Sequence, residues 1–180
     1  MDDARIRAGS LFDKFDSIDQ FVIFYKTVLT MSEQQQPIFN IQKIHVKDLS
    51  LEIPHAPRIY LERDAPEINV QLDNKNECFD DGMYEVILTG IVTAKVKDKI
   101  MFLVEAHQAG IFQVRNIAEE EIKPVLGITC PNILFPYLRE TVSDIVTRAG
   151  FPAILLNPVN FEAIYQRNQR QNQAVAEQSD

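Results

Sequence analysis

MYEVILTGIVTAKVKDKIMFLVEAHQAGIFQV, residues 83–114, is the stretch on which the fold of this chain turns. Its first half, Met83 to Val96, is dense in β-branched residues and alternates Ile91, Thr93 and Lys95 against Val92, Ala94 and Val96. That period of two belongs to a strand lying on a sheet. The polar turn Lys97-Asp98-Lys99 follows, and Ile100 to Val114 reads as the returning strand of a hairpin. Gly110 inside that second strand predicts a bulge or a close approach to the backbone.

Upstream of the hairpin the chain alternates from Ile38 to Glu52. Ile38, Asn40, Gln42, Ile44, Val46, Asp48, Ser50 and Glu52 point one way, and Phe39, Ile41, Lys43, His45, Lys47, Leu49 and Leu51 the other. Neither face is cleanly polar. Pro54 and Pro57 in IPHAPR interrupt the pattern and predict an extended crossover. A short strand, Ile68 to Leu72, follows Pro66. DNKNECFDDG, Asp73 to Gly82, is rich in turn formers and is expected as an exposed loop.

Downstream, the acidic run AEEEIKPVLGI leads into CPNILFPYLRE, Cys130 to Glu140. Leu134, Leu138, Val142 and Ile145 recur at helical spacing, with Arg139, Glu140, Ser143 and Asp144 on the wet side. Pro136 belongs in or near the first turn, because deeper in a helix it removes a hydrogen bond and clashes. Gly150 closes the helix. GFPAILLNPVNF, Gly150 to Phe161, precedes a second helix beyond Asn160, with Phe161, Ile164 and Tyr165 as its apolar contacts. The polar string QRNQRQNQAVAEQSD after it is expected to be frayed or disordered.

Strands first and helices last give an α+β fold, an antiparallel sheet of about four strands with two C-terminal helices on one side. Two helices cover only one face of such a sheet, yet several strands are apolar on both. Burial of both faces requires a partner, so oligomerisation is expected.

A net charge of −8 over 180 residues argues against nucleic acid, whose binding relies on Lys and Arg, and favours basic protein partners. Cys78 and Cys130 lack CxxC spacing and read as free thiols of a reducing compartment. His45, His55 and His107 stand alone, so no metal site and no cofactor is expected. GxSxG, GxGxxG and GxxxxGK[ST] are all missing, and no catalytic residue is assigned.

Residues 1–30 differ from the rest. Their one apolar run, Phe21 to Tyr25, is far too short for a membrane span, and Asp2 and Asp3 do not suit a secretory signal. They read as an N-terminal extension, disordered or dispensable, or as upstream sequence included by a misplaced start, with Met31 as the natural one. The alternative is a helix with the stripe Phe21, Phe24, Tyr25 and Val28. The main domain is expected over residues 31–165, with a polar C-terminal tail over 166–180.

Phe102, Val104, Ala106 and Gln108 share one face of FLVEAHQ, while Leu103, Glu105 and His107 share the other. Asp48 and Glu52 likewise share a face of the first strand. If the two strands are neighbours, Asp48, Glu52, Leu103 and Glu105 form an acidic patch with an apolar centre. The plainer reading is a solvated sheet face with incidental carboxylates. A paired-carboxylate hydrolase has no support in the spacing.

KDLSLEIPHAP (Lys47 to Pro57), YEVILT (Tyr84 to Thr89), FLVEAHQAGIF (Phe102 to Phe112), CPNILFPYLRE and GFPAILLNPVNF together resemble the SecB protein-export chaperones, in order and in spacing, from Ile38 to Tyr165. The resemblance implies a cytosolic, ATP-independent holdase that binds unfolded precursor proteins and passes them to the SecA motor ATPase. It implies a four-stranded antiparallel sheet with two helices, assembled as a homotetramer, a dimer of dimers, with the helix near Phe135 to Ala149 between the dimers. It assigns Asp48, Glu52, Leu103 and Glu105 to the motor, including its basic, zinc-bearing C-terminal segment. Phe102, Val104, Ala106 and Gln108 match positions tied to assembly and substrate binding. A groove tolerant of many sequences suits such clients, and Ile59, Tyr60, Leu61, Phe161 and Tyr165 are its candidates. One departure stands out: relatives commonly carry a tryptophan just before the crossover proline, where this chain has Asp64-Ala65-Pro66. The alternatives are a solitary or toxin–antitoxin-linked SecB-like chaperone without an export role, or a small-ligand-binding α+β domain.

Overall fold

Four strands build one antiparallel sheet: β1 (Ile38–Glu52), β2 (Glu67–Asp80), β3 (Met83–Val96) and β4 (Lys99–Arg115), in the order β1-β4-β3-β2. The protein is known from a computed structural model that describes residues 17–20, 22–23 and 36–177, with side chains through residue 171. The chain divides into two compact units, 1–36 and 37–180. In the first, residues 18–20 and 22–23 are helical and the Gln20 amide donates to Ser17 Oγ at 3.3 Å. The stripe Phe21, Phe24, Tyr25 and Val28 lies outside the described residues. All that follows concerns the second unit.

The hairpin forms where the sequence put it. Val96 faces Lys99 across the turn, and Lys97 takes a positive φ of 56°. Gly110 answers to a close approach: a Cβ there would lie 2.6 Å from the Phe112 ring and 3.0 Å from Leu134 Cδ2. The sheet edge departs from expectation. The run Asp73–Asp80 is the second half of β2, paired with β3 to Asp80 opposite Met83, with a register shift after Cys78. A strand as long as β3 needs a partner along its whole backbone, and an edge strand accepts polar residues on its open sides. The crossover also differs, closing in turns and a 3₁₀ turn, Arg58–Leu61, instead of running extended.

β1 carries the most consequential difference. Its register against β4 slips twice, between Ile41 and Lys43 and between Val46 and Asp48. Each slip inserts one unpaired residue and inverts the alternation beyond it. Ile44 and Val46 therefore stand opposite Gly110 and Gln108, on the helix-bearing face, while Asp48, Ser50 and Glu52 stand opposite His107, Glu105 and Leu103 on the other. A single uninterrupted period had placed all five together.

After β4 the chain turns helical earlier than its apolar spacing suggests. The acidic run forms α1 (Glu119–Pro124), with Glu119, Glu120 and Glu121 against the positive end of the helix dipole. A π turn (Val125–Thr129) joins it to α2 (Cys130–Arg148). Pro131, at the start of α2, takes the first-turn position, and Pro136 sits inside the helix on an exposed side. Asn132, whose carbonyl loses its helical donor to the proline, is an exposed residue as well. Gly150, with φ of 85°, ends α2, and the Phe151 amide donates back to the Val146 carbonyl at 3.2 Å. The last helix, α3 (Phe161–Glu177), is capped by Asn160 Oδ1, which accepts from the Ala163 amide at 2.9 Å. Its backbone is helical through Glu177, so the polar string continues the helix where fraying was expected.

α2 lies over β3 and β4. Leu134, Leu138, Val142 and Val146 pack on Val86, Leu88, Val92, Val104, Ala106 and Phe112. Val146 is buried and replaces the expected Ile145 in the stripe. Gly90 admits the helix closely, since a Cβ there would meet Leu138 Cδ2 at 3.0 Å. One buried polar residue bridges three elements. Gln108 Nε2 donates to the His45 carbonyl at 2.9 Å, and Thr141 Oγ1 donates to Gln108 Oε1 at 3.2 Å.

Candidate functional site

Two surfaces of the second unit can hold other proteins, one on each side of the sheet. The side away from the helices carries Asp48, Ser50 and Glu52 of β1 directly across from His107, Glu105 and Leu103 of β4. The second bulge of β1 makes this possible, because it turns Asp48 to the face that Glu105 occupies. The bulge residue Lys47 crosses β4 to form an ion pair with Glu85 of β3. Among the described residues neither Asp48 nor Glu52 has a cationic partner. His107 is held on both ring nitrogens, Nε2 by Glu105 Oε1 at 3.0 Å and Nδ1 by Thr89 Oγ1 at 3.1 Å. All four residues expected of the acidic patch, Asp48, Glu52, Leu103 and Glu105, thus share one sheet face, with Leu103 at its Glu52 end and not at its centre.

Phe102, Val104, Ala106 and Gln108 lie on the opposite face and are buried beneath the helices, each no more than 3% exposed. Their place is the sheet–helix core. Phe102 also reaches the crossover cleft described next, where its ring centroid is 5.0 Å from that of Phe151.

Three clefts follow one another along the helix-bearing side of β2. The first, about 480 Å³, is lined by Pro66 and Ile68 together with Ile59, Tyr60, Phe151 and Ile154. The second, about 470 Å³, takes Val70 and Leu72 with Leu156, Val159 and Ile164. The third, about 320 Å³, shares Leu72 and adds Asn74, Gly127, Phe161 and Tyr165. Alternate residues of one edge strand, Ile68, Val70 and Leu72, therefore supply apolar side chains to a succession of hollows. Ile68, Val70 and Leu72 escaped the sequence reading as a binding stripe because Asp73–Gly82 looked like loop; their own alternation was the available signal.

The expected groove residues divide between the ends of this row. Ile59 is buried in the floor of the first cleft, and Tyr60 stands at its wall, its ring stacked 5.0 Å from Phe151 and its hydroxyl donating to the Ala149 carbonyl at 3.0 Å. Leu61 is 75% exposed and lines none of the three clefts. Phe161 is buried edge-on against Phe135, with centroids 5.6 Å apart, and Tyr165 forms a wall of the third cleft. Asp64 pairs with Lys97 at 2.7 Å, and Glu62 pairs with Lys99 at 3.0 Å. The hydrogen bond and charge of Lys97 hold the Asp64 carboxyl below its ordinary range. These pairs tie the crossover to the β3–β4 turn.

Among the described residues no cluster of three or more His, Cys, Asp or Glu is placed to hold a metal, and no helix is long and apolar enough to cross a membrane.

Comparison with known proteins agrees with this geometry. The family described as Preprotein translocase subunit SecB matches residues 32–172. Protein-export protein SecB of Nitrosospira multiformis is 64% identical over 148 residues, covering 82% of this chain and 93% of that protein. The protein of the same name from Thiobacillus denitrificans is 56% identical over 151 residues, 83% of this chain and 99% of the relative. The solved structure of a Mycobacterium tuberculosis SecB-like chaperone in complex with an antitoxin peptide has the same fold, with a TM-score of 0.58 at 16% identity over 67% of this chain and 90% of that one. With a family match across most of its length and relatives above half identity, this chain belongs to the SecB family of protein-export chaperones.

Proposed function

We propose that the protein is a cytoplasmic holdase that keeps precursor proteins unfolded without ATP and delivers them to the SecA motor for export. The acidic sheet face carries this reading. Asp48, Glu105 and Glu52 follow one another along this face as exposed or half-buried carboxylates, with Leu103 at the Glu52 end, an arrangement complementary to a cationic surface that also offers an apolar contact. The clefts along β2 serve the client. They are open, strung along one strand and lined by apolar side chains with polar ones between them, which suits an extended chain of variable sequence.

Assembly as a dimer of dimers follows the same logic. On the helix-bearing face of β1, Ile41 and Val46 remain 47% and 45% exposed, because α2 covers chiefly β3 and β4. A second copy that covers this strip removes apolar surface from water. Phe102, Val104, Ala106 and Gln108 then contribute to assembly and client binding from beneath, by fixing the floor on which α2 and the first cleft rest.

Motor binding of Asp48→Ala and Glu105→Lys, measured by calorimetry beside native mass, tests the reading. Loss of binding with the tetramer intact is the expected result. Variants that bind the motor normally would overturn the assignment of this face. The full chain should also suppress aggregation of an unfolded precursor at stoichiometric amounts without ATP.

A further inference from the structure

His107 stands within the acidic face and is bonded to one of its carboxylates. Glu105 Oε1, two residues back along β4, lies 3.0 Å from His107 Nε2, and Thr89 Oγ1 of β3 lies 3.1 Å from Nδ1. An ionised carboxylate only accepts, so in the neutral ring Nε2 carries the hydrogen and Nδ1 accepts from the Thr89 hydroxyl. These two contacts fix the tautomer. They also hold the carboxylate, because Oε1 is tethered while Oε2 has no partner among the described residues. Both side chains reach solvent, His107 at 29% and Glu105 at 44% exposure.

The same geometry accommodates a charged ring. A hydroxyl accepts as readily as it donates, so protonation at Nδ1 reverses the Thr89 contact without moving the imidazole. The Glu105 contact then becomes an ion pair. Other charged and titratable groups face the ring from each neighbouring strand. Asp48 of β1 is directly across, with Lys47 and His45 just before it. Thr89 is the neighbour on β3, where Glu85, two register pairs on, is already paired with Lys47. Asp73 of β2 pairs with Thr89 on its far side. The helices lie on the other side of the sheet.

We propose that His107 positions Glu105 for a cationic partner of the acidic face and withdraws it when the ring takes up a proton. The inference rests on the partner-binding reading of that face and adds its regulation. With a neutral ring the tether presents the carboxylate in one orientation, so a partner's cation meets an acceptor that is already ordered. With a charged ring Glu105 is neutralised within the chain, and the face loses one of the three carboxylates, Asp48, Glu52 and Glu105, that a cation can use. Histidine changes charge between pH 5 and 8, so partner affinity should fall over that interval.

The test uses the full chain and a rhodamine-labelled, end-capped 12-residue peptide of arginine, glycine and one leucine, whose charge is constant over the interval. Anisotropy titrations at low salt compare pH 8.0 with pH 5.5. The native chain should lose affinity roughly two- to five-fold on acidification, the scale of one partly exposed ion pair. His107→Gln offers an amide N–H in place of Nε2–H and does not titrate, so it should keep the pH 8.0 affinity and lose the fall. His107→Leu has no donor and should bind roughly two- to five-fold more weakly at pH 8.0, also without the fall. His45→Gln should behave as the native chain does. A fall that persists in His107→Gln overturns the proposal, as does one that vanishes in His45→Gln. Equal affinity of the native chain and His107→Leu at pH 8.0 overturns the positioning role. A peptide that binds Glu105→Gln and Asp48→Ala as tightly as the native chain defeats the acidic-face reading itself, and the role of His107 with it.

Discussion

Asp48 of β1 stands directly across from His107 of β4, and it does so only because the neighbouring Lys47 is looped out of the ladder. Without that extra residue Asp48 would share the face of Val46, toward the helices. The acidic surface is thus a product of one bulge.

Lys47 also subtracts from that surface, since its ammonium is paired with Glu85. Lys47→Ala frees a carboxylate on the binding face. A cationic peptide should bind the variant roughly two- to five-fold more tightly at low salt, with a steeper loss on raising salt. The pair is partly exposed, so unfolding free energy should change by less than about 1 kcal/mol. Titration calorimetry at two salt concentrations, with a urea melt as control, decides it. Unchanged affinity would separate Glu85 from the partner's footprint.

Gly127 in the π turn is the seat of the Tyr165 ring. A Cβ at Gly127 would lie 2.5 Å from Tyr165 Cδ2. Gly127→Ala should destabilise the chain or undock the start of α3 at a cost of about 1–3 kcal/mol. In Tyr165→Ala the same glycine substitution should cost far less, since the clash partner is gone. A double-mutant cycle by chemical denaturation, with hydrogen exchange over residues 161–171, measures the coupling. Additive effects would place the glycine's importance elsewhere.

Gln108 joins β1 to α2 through the His45 carbonyl and the Thr141 hydroxyl. Gln108→Leu leaves the Thr141 hydroxyl without its acceptor and should lower stability by about 1–3 kcal/mol. Combining it with Thr141→Val removes the orphaned hydroxyl as well, so the pair should cost less than the sum of the single changes. Equilibrium unfolding of the four proteins checks this.

Cys130 is fully buried, and desolvation of its thiolate pushes the thiol up to about 12 from an ordinary 9.0. Between these values the unfolded chain has lost a proton that the folded chain keeps. Stability is therefore fully present below pH 9 and falls as pH rises, by about 1.4 kcal/mol per pH unit up to about pH 12. Cys130→Ala should flatten this contribution, as urea unfolding at pH 8 and pH 10.5 will show. A thiol reagent at pH 8 should modify exposed Cys78 and spare Cys130 in the native protein.

Local sequence alone determined the β3–β4 hairpin, the apolar stripe of α2, the Gly150 stop and the start of α3. In each, near neighbours along the chain supply both the period and the cap. That Asp48 shares a face with Glu52, and Leu103 with Glu105, was legible too, because each set lies on a short stretch that keeps strict alternation, but the face common to all four awaited the register. Tertiary structure decided the rest. The run Asp73–Asp80 is a strand because β3 offers it hydrogen bonds, against a turn-rich composition. Pro136 falls within α2 and not in its first turn because the helix already begins at Cys130, and it lies on an exposed side. The β1 bulges arise from matching a twisted strand to β4, and nothing in the alternation of IFNIQKIHVKDLSLE marks where they fall. Asn74 shows the same division most sharply. Its Nδ2 donates to the Leu126 carbonyl, 52 residues away in the π turn, and only the packing of β2 against that turn brings the two together.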